Sequence, residues 1–293
     1  QRCHRPAKQW RCHAAVHRLQ PSKGKSDCVQ LLLAVNAAID QPNKDGVTPL
    51  YIACNQGESD CVKLLLAANA AIDQPENDGD TPLYTACSQG ESDCVQLLLA
   101  ANAAIDQPNK DGATPLYIAC NQGESDCVQQ LLAANAAINQ PYKDGATPLH
   151  TACSYGESDC VQLLLAANAA IDQLDKNGVT PLYTACCHGK MGCVQLLLAA
   201  NAAVDQPGIR DATPLYMACY QGKSDCVQLL LAANAAIDQP DNDGDTPLYT
   251  ACSQGKSDCV RLLLAANAAI DQPNNDCYTP LFTVCFKGKI EQM

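Results

Sequence analysis

Aromatic residues are scarce in this sequence, at 4% of its 293 positions. The thick single core of a globular enzyme is therefore not expected. Alanine, leucine and cysteine carry the apolar content, which suits thin layers stacked closely. No apolar run approaches the roughly 20 residues that a membrane-spanning helix needs; runs such as Leu97–Ala101 read as parts of short helices. There is no phosphate-binding glycine loop, dinucleotide fingerprint or zinc-protease histidine pair. Gly57-Glu58-Ser59-Asp60-Cys61 has a faint likeness to a nucleophile elbow, but it lacks the second glycine and recurs in nearly every unit without a partner histidine. Basic residues are also sparse over most of the chain. Seven of the 19 Lys and Arg fall in residues 1–25, which contain no acid, leaving 12 against 31 Asp and Glu. Phosphate backbones need clustered cations, so neither nucleic acid nor membrane is expected as a partner. An acidic body suits solubility and basic partners.

A repeat is what the sequence does have. Thr-Pro-Leu recurs at Thr48, Thr81, Thr114, Thr147, Thr180, Thr213, Thr246 and Thr279, always 33 residues apart. In each unit a Thr such as Thr48 is placed to cap a helix, and Pro49 sits at the first helical position, where its missing N–H costs nothing. Leu50, Ala53 and Cys54 share one helical face, and Gly57 supplies the left-handed residue that ends the helix. Ser59 and Asp60 are expected to open a second helix by capping its free N–H groups. Cys61, Val62 and Leu64 to Leu66 form its apolar face, and Asn69 is suited to a left-handed end. An extended stretch, Ala71 to Gln74, should then lead to a turn at Asp78-Gly79. Helices this short do not persist alone, so neighbouring units must stack into a quasi-one-dimensional array.

Asp-Gly-x-Thr-Pro-Leu-x-x-Ala, then Gly, then Val-x-Leu-Leu-Leu at this spacing resembles the ankyrin repeat, over Lys25 to about Lys289. The departures are regular: the family's Thr-Pro-Leu-His histidine is Tyr in most units and kept only at His150, and the glycine after the second helix is Asn. The resemblance implies an all-α solenoid of stacked helix-turn-helix units with projecting β-turn or hairpin loops. It also implies a protein-binding scaffold whose partners meet turn tips and first helices on a concave face.

Seven units are complete. The eighth, from Thr279, reaches Met293 before a second helix, so residues 25–293 read as an array with a truncated last unit and the chain as a fragment. Residues 1–24 read as an irregular basic segment, with Pro21 where a first helix should be. A frameshifted repeat would explain it: one back-translation of His13 to Gln20, less one base, encodes Thr-Pro-Leu-Tyr-Thr-Ala-Cys.

Sixteen of the 20 cysteines fall at two repeat positions or their equivalents, such as Cys54 and Cys61, and read as small core residues. Free buried thiols suit a reducing compartment, cytoplasm or nucleus. Cys186, Cys187, His188 and Cys193, and the set Cys3, His4, Cys12, His13 and His17, have ligand chemistry; repeat placement and the frameshift account for them better than zinc does.

Positions that vary between copies cluster at the turn tips and the ends of the first helices. Neutral drift at exposed positions would also leave such variation, but aromatic and Arg side chains gather there in the C-terminal half. Tyr142, Tyr155, His188, Ile209, Arg210, Tyr220, Tyr278 and Phe286 are the candidate partner-binding residues. The expected function is a monomeric protein–protein interaction scaffold, with no cofactor, metal, small-molecule substrate or catalysis of its own. The alternative is a recruitment module of a larger enzyme, such as a kinase or ubiquitin ligase, whose catalytic domain lies outside this sequence.

Overall fold

The computed structural model describes residues 23–290, with side chains as far as Phe286. Residues 1–22, with the expected frameshifted segment and the Cys3, His4, Cys12, His13 and His17 set, lie outside the described residues. The first described helix, Lys23–Ala34, starts two residues ahead of the expected boundary. Sixteen α-helices follow one another with no strand among the described residues. The projecting loops are thus turns rather than stranded hairpins.

The first helix of each unit forms as its sequence dictates. In the Thr147 unit it spans Pro148–Tyr155, with Thr147 extended at the cap and Gly156 left-handed at φ 84°. In the other complete units the Thr hydroxyl accepts the N–H three residues on, at 3.2 Å for Tyr51 and 3.1 Å for Tyr84. The second helix has nine residues, as in Ser158–Ala166. Its start corrects the expectation: Ser59 and its counterparts are already helical, and the preceding Glu58 stands at the cap without a side-chain bond to the helix. The tight turn at Gly57 shares the work, because Glu58 N–H donates to Ala53 O at 2.9 Å and Ser59 N–H to Gly57 O at 2.9 Å. Asp60 does lie in the first turn, near the positive end of the helix dipole.

The second helix ends on Asn, as expected. Asn69 is left-handed at φ 61°, Asn69 N–H donates to Leu66 O, and Ala70 N–H donates to Leu65 O. That double closure is the Schellman arrangement. The following stretch is not extended. Ala71 to Gln74 closes a turn, with Gln74 N–H 3.4 Å from Ala71 O. The turn aims Asp73 at the next unit, where its Oδ1 accepts Ala104 N–H at 2.8 Å. Asp40, Asp106, Asp172, Asp205 and Asp238 make the same bond, and Asn139 substitutes for Asp without losing it.

Stacking follows from these units. First helices pack on first helices, second helices on second helices, and the two pack together within each unit. One continuous core results, with Leu116, Leu149, Leu182 and Leu164 among its fully buried side chains. The repeat cysteines lie inside it as free thiols, except Cys252, which is partly exposed, and Cys28 and Cys285, which are exposed. They face one another across unit boundaries, Cys87 towards Cys127 and Cys120 towards Cys160. Burial pushes the Cys87 and Cys120 thiols well above their ordinary range, which keeps those two protonated.

Candidate protein-binding groove

Turn tips and first helices make one side of the array. The tips are held in register by backbone bonds from unit to unit: Lys110 N–H donates to Asp78 O at 3.1 Å and Lys176 N–H to Asp144 O at 3.0 Å. Within a tip, a side-chain acceptor at its first position closes the loop. Asp175 Oδ1 accepts Asn177 N–H at 2.8 Å and Val179 N–H at 3.0 Å, and Asn109 does the same in its own unit.

The tip at residues 208–212 departs from the rest. Ile209–Asp211 is a short 3-10 turn, and Arg210 and Asp211 are both left-handed. Gly208 lets this tip settle, since a Cβ there would meet Val179 Cγ1 at 2.7 Å and Tyr183 Cε2 at 2.9 Å. Beneath it Val179, Tyr183, Ala212 and Tyr216 form a small second core.

A groove of about 370 Å³ opens across the Thr114, Thr147 and Thr180 units. Tyr117, Tyr155 and the largely buried Tyr183 line it, together with Asp144 and Asp175 of the turn tips, Ile209 and His188. His150 lies in its floor. Thr147 N–H donates to His150 Nδ1 at 3.2 Å, and His150 Nε2 is 3.0 Å from Val179 O. A backbone N–H can only donate and a carbonyl can only accept, so the imidazole is neutral with its proton on Nε2. Burial holds its pKa below the usual value, outweighing the Val179 carbonyl and the nearby carboxylates of Asp175 and Asp144. Burial also pushes the Tyr183 phenol up to about 12 and raises that of Tyr117, against a bond to Thr151.

The expected binding residues do not converge on one spot. Tyr155, His188 and Ile209 share the groove. Tyr155 is the most open of the tyrosines, 53% exposed, and His188 Nδ1 bonds Thr184 O at 2.9 Å. Tyr142 is half-buried at the neighbouring tip, stacked on Tyr117 with centroids 4.8 Å apart. Arg210 is exposed and ion-paired with Asp243. Tyr220 is exposed at its helix end. Tyr278 and Phe286 belong to a separate aromatic row through Phe282, with centroids 4.7 and 5.9 Å apart. Tyr117, Asp144, His150, Asp175 and Tyr183 also line the groove and are not among the expected binding residues. Tyr117 and Tyr183 stand at a position that is Tyr in most units, and Asp144 at one that is Asp in most, so variation between copies does not mark them.

The family model for ankyrin repeats (three copies) matches residues 13–109, 101–175, 167–241 and 215–292. The chain belongs to the ankyrin repeat family. The match begins at residue 13, inside the segment that the sequence reading set apart. Among solved structures, the human ASB11 ankyrin repeat domain is 31% identical with a TM-score of 0.70, over 76% of this chain and 99% of that one. The ankyrin repeat domain of Bcl-3, described as a unique member of the IkappaB protein family, is 30% identical with a TM-score of 0.66, over 75% of this chain and 100% of that one. No curated protein matches the chain. This ankyrin domain is a repeat module of the protein–protein interaction type. Among the described residues no helix is long and apolar enough to cross a membrane, and no group of three or more His, Cys, Asp or Glu is placed to hold a metal.

Proposed function

We propose that this ankyrin array binds a protein partner in the groove between its turn tips and first helices. The observation that carries the reading is the gathering of Tyr117, Tyr155, Tyr183 and Ile209 around one opening. Tyrosine carries a large apolar face and a polar tip at low side-chain entropy cost, which makes it a common interface anchor. On the second-helix side of the complete units, Gln162 and its counterparts present polar or charged side chains to solvent. Buried thiols with no disulfide among the described residues support action in a reducing compartment, cytoplasm or nucleus.

The test is quantitative partner recovery from cell extract with the unaltered array, with Tyr155→Ala and with Gln162→Ala. The groove variant should lose its partner by more than ~1 kcal/mol, while the second-helix variant keeps it. Equal recovery by all three would refute the groove as the binding site.

A further inference from the structure

The groove carries more than aromatic surface. Along the turn row this chain repeatedly sets a cation against a carboxylate of a neighbouring unit. Lys143 Nζ lies 2.6 Å from Asp111 Oδ1 and 5.4 Å from the centroid of the Tyr142 ring. Arg210 pairs with Asp243 in the next unit. Between those two pairs lie Asp144 and Asp175, at the edge of the groove, with neither in an ion pair among the described residues. Both line the same groove as His150. Their hydrogen bonds come from backbone and amide N–H groups, which use only part of a carboxylate's accepting capacity. The groove therefore repeats the carboxylate-and-ring setting that holds Lys143, but without a cation.

We propose, on the footing that the groove is the partner-binding site, that it takes an arginine-bearing segment of the partner protein, with the guanidinium at Asp144 and Asp175 and its plane against the tyrosine rings. Charge complementarity selects the sign. The array from residue 26 onward has 12 Lys and Arg against 31 Asp and Glu, so a cationic segment is drawn in and an acidic one is repelled. The ring-lined wall selects arginine over lysine. A guanidinium is flat, weakly hydrated and able to stack while it bonds a carboxylate through two N–H groups, and an ammonium does none of these.

The chain supplies its own control substitutions. Asn109 already stands at the position of Asp175 and makes the same two turn bonds, and Asn177 stands at the position of Asp144. D144N/D175N thus removes two charges while keeping residues that this array accepts. The probe is a fluorescein-labelled peptide of alternating arginine and leucine, read by anisotropy against lysine and citrulline versions of the same peptide. The arginine peptide should bind the unaltered array at least tenfold more tightly than either analogue, and D144N/D175N should lose at least tenfold. No binding, equal binding of the arginine and lysine or citrulline peptides, or equal binding by D144N/D175N would overturn the arginine assignment. The partner loss expected of Tyr155→Ala is measured separately. Its persistence would leave the groove standing as an interface of different chemistry.

Discussion

The helix interfaces of this array and its groove side are built from the same units to different rules. At the interfaces every unit repeats the same small or branched residues, so that Leu149 and Leu182, or Cys120 and Cys153, occupy equivalent buried places. Each of these side chains must fit both its own unit and the next, and packing at crystal-like density leaves no room for drift. On the groove side the equivalents of Tyr155 are Gln89, His188 and Gln221, at a position where solvent accepts most side chains. Uniformity therefore reports the demands of stacking, and variation reports freedom from them. The proposed groove lies where the two meet, because Tyr117 and Tyr183, at a position that is Tyr in most units, line it together with the variable Tyr155 and Ile209.

Four substitutions would break or sharpen this contrast. Leu164 is fully buried between units, and Leu164→Ala should cost about 2–5 kcal/mol, read from the urea unfolding midpoint. A variant as stable as its parent would contradict the stacking account. Asp172→Ala removes the acceptor for Ala203 N–H and should cost roughly 1 kcal/mol by the same measurement. No loss would mean that water replaces the bond freely.

His150 joins the two regions, and its effect is visible in pH. Its folded pKa lies below the ordinary value of 6.5, so the stability it contributes is fully present above that pH and declines as pH falls. His150→Tyr restores the residue of most other units. Its thermal midpoint should fall less than the parent's between pH 7 and pH 5, and parallel curves would rule out the neutral, buried imidazole. The smallest effect belongs to Asp80. Burial, with Glu76, Asp78 and Asp111 adding repulsion, raises its pKa despite a bond from Asn109. A raised carboxyl stabilises the fold below its unfolded value and loses that contribution as pH rises through the folded one, so at pH 7 the charge is a cost. Asp80→Ala, with the residue that Ala113 and Ala146 place there, should raise the midpoint slightly at pH 7, by less than about 1 kcal/mol. A lowered midpoint would mean that the Asn109 bond outweighs the repulsion.

Much of the fold was legible from the sequence because its signals are local. Thr147 caps, Pro148 begins a helix, Gly156 and Asn168 turn left-handed, and none of these depends on a distant residue. The misreadings arose at the turn within a unit and at the contact between units. Ser59 has the chemistry of a cap, yet Gly57 tightens the preceding turn so that Ser59 is already helical. Asp73 gave no sign of its role, because its acceptor faces Ala104 of the following unit across a turn.

By itself, the sequence determined the period, the two-helix unit, its termini and the apolar faces that compel stacking, since hydrogen-bond geometry and side-chain volume act within a few residues. Only the tertiary structure decided which carboxylates have cations and which do not, and which rings share one opening. Lys143 and Asp111, or Asp144 and Asp175, become neighbours only through the stacking of successive units. Charges interact through space, and stacking sets the distances that repeat spacing alone leaves open.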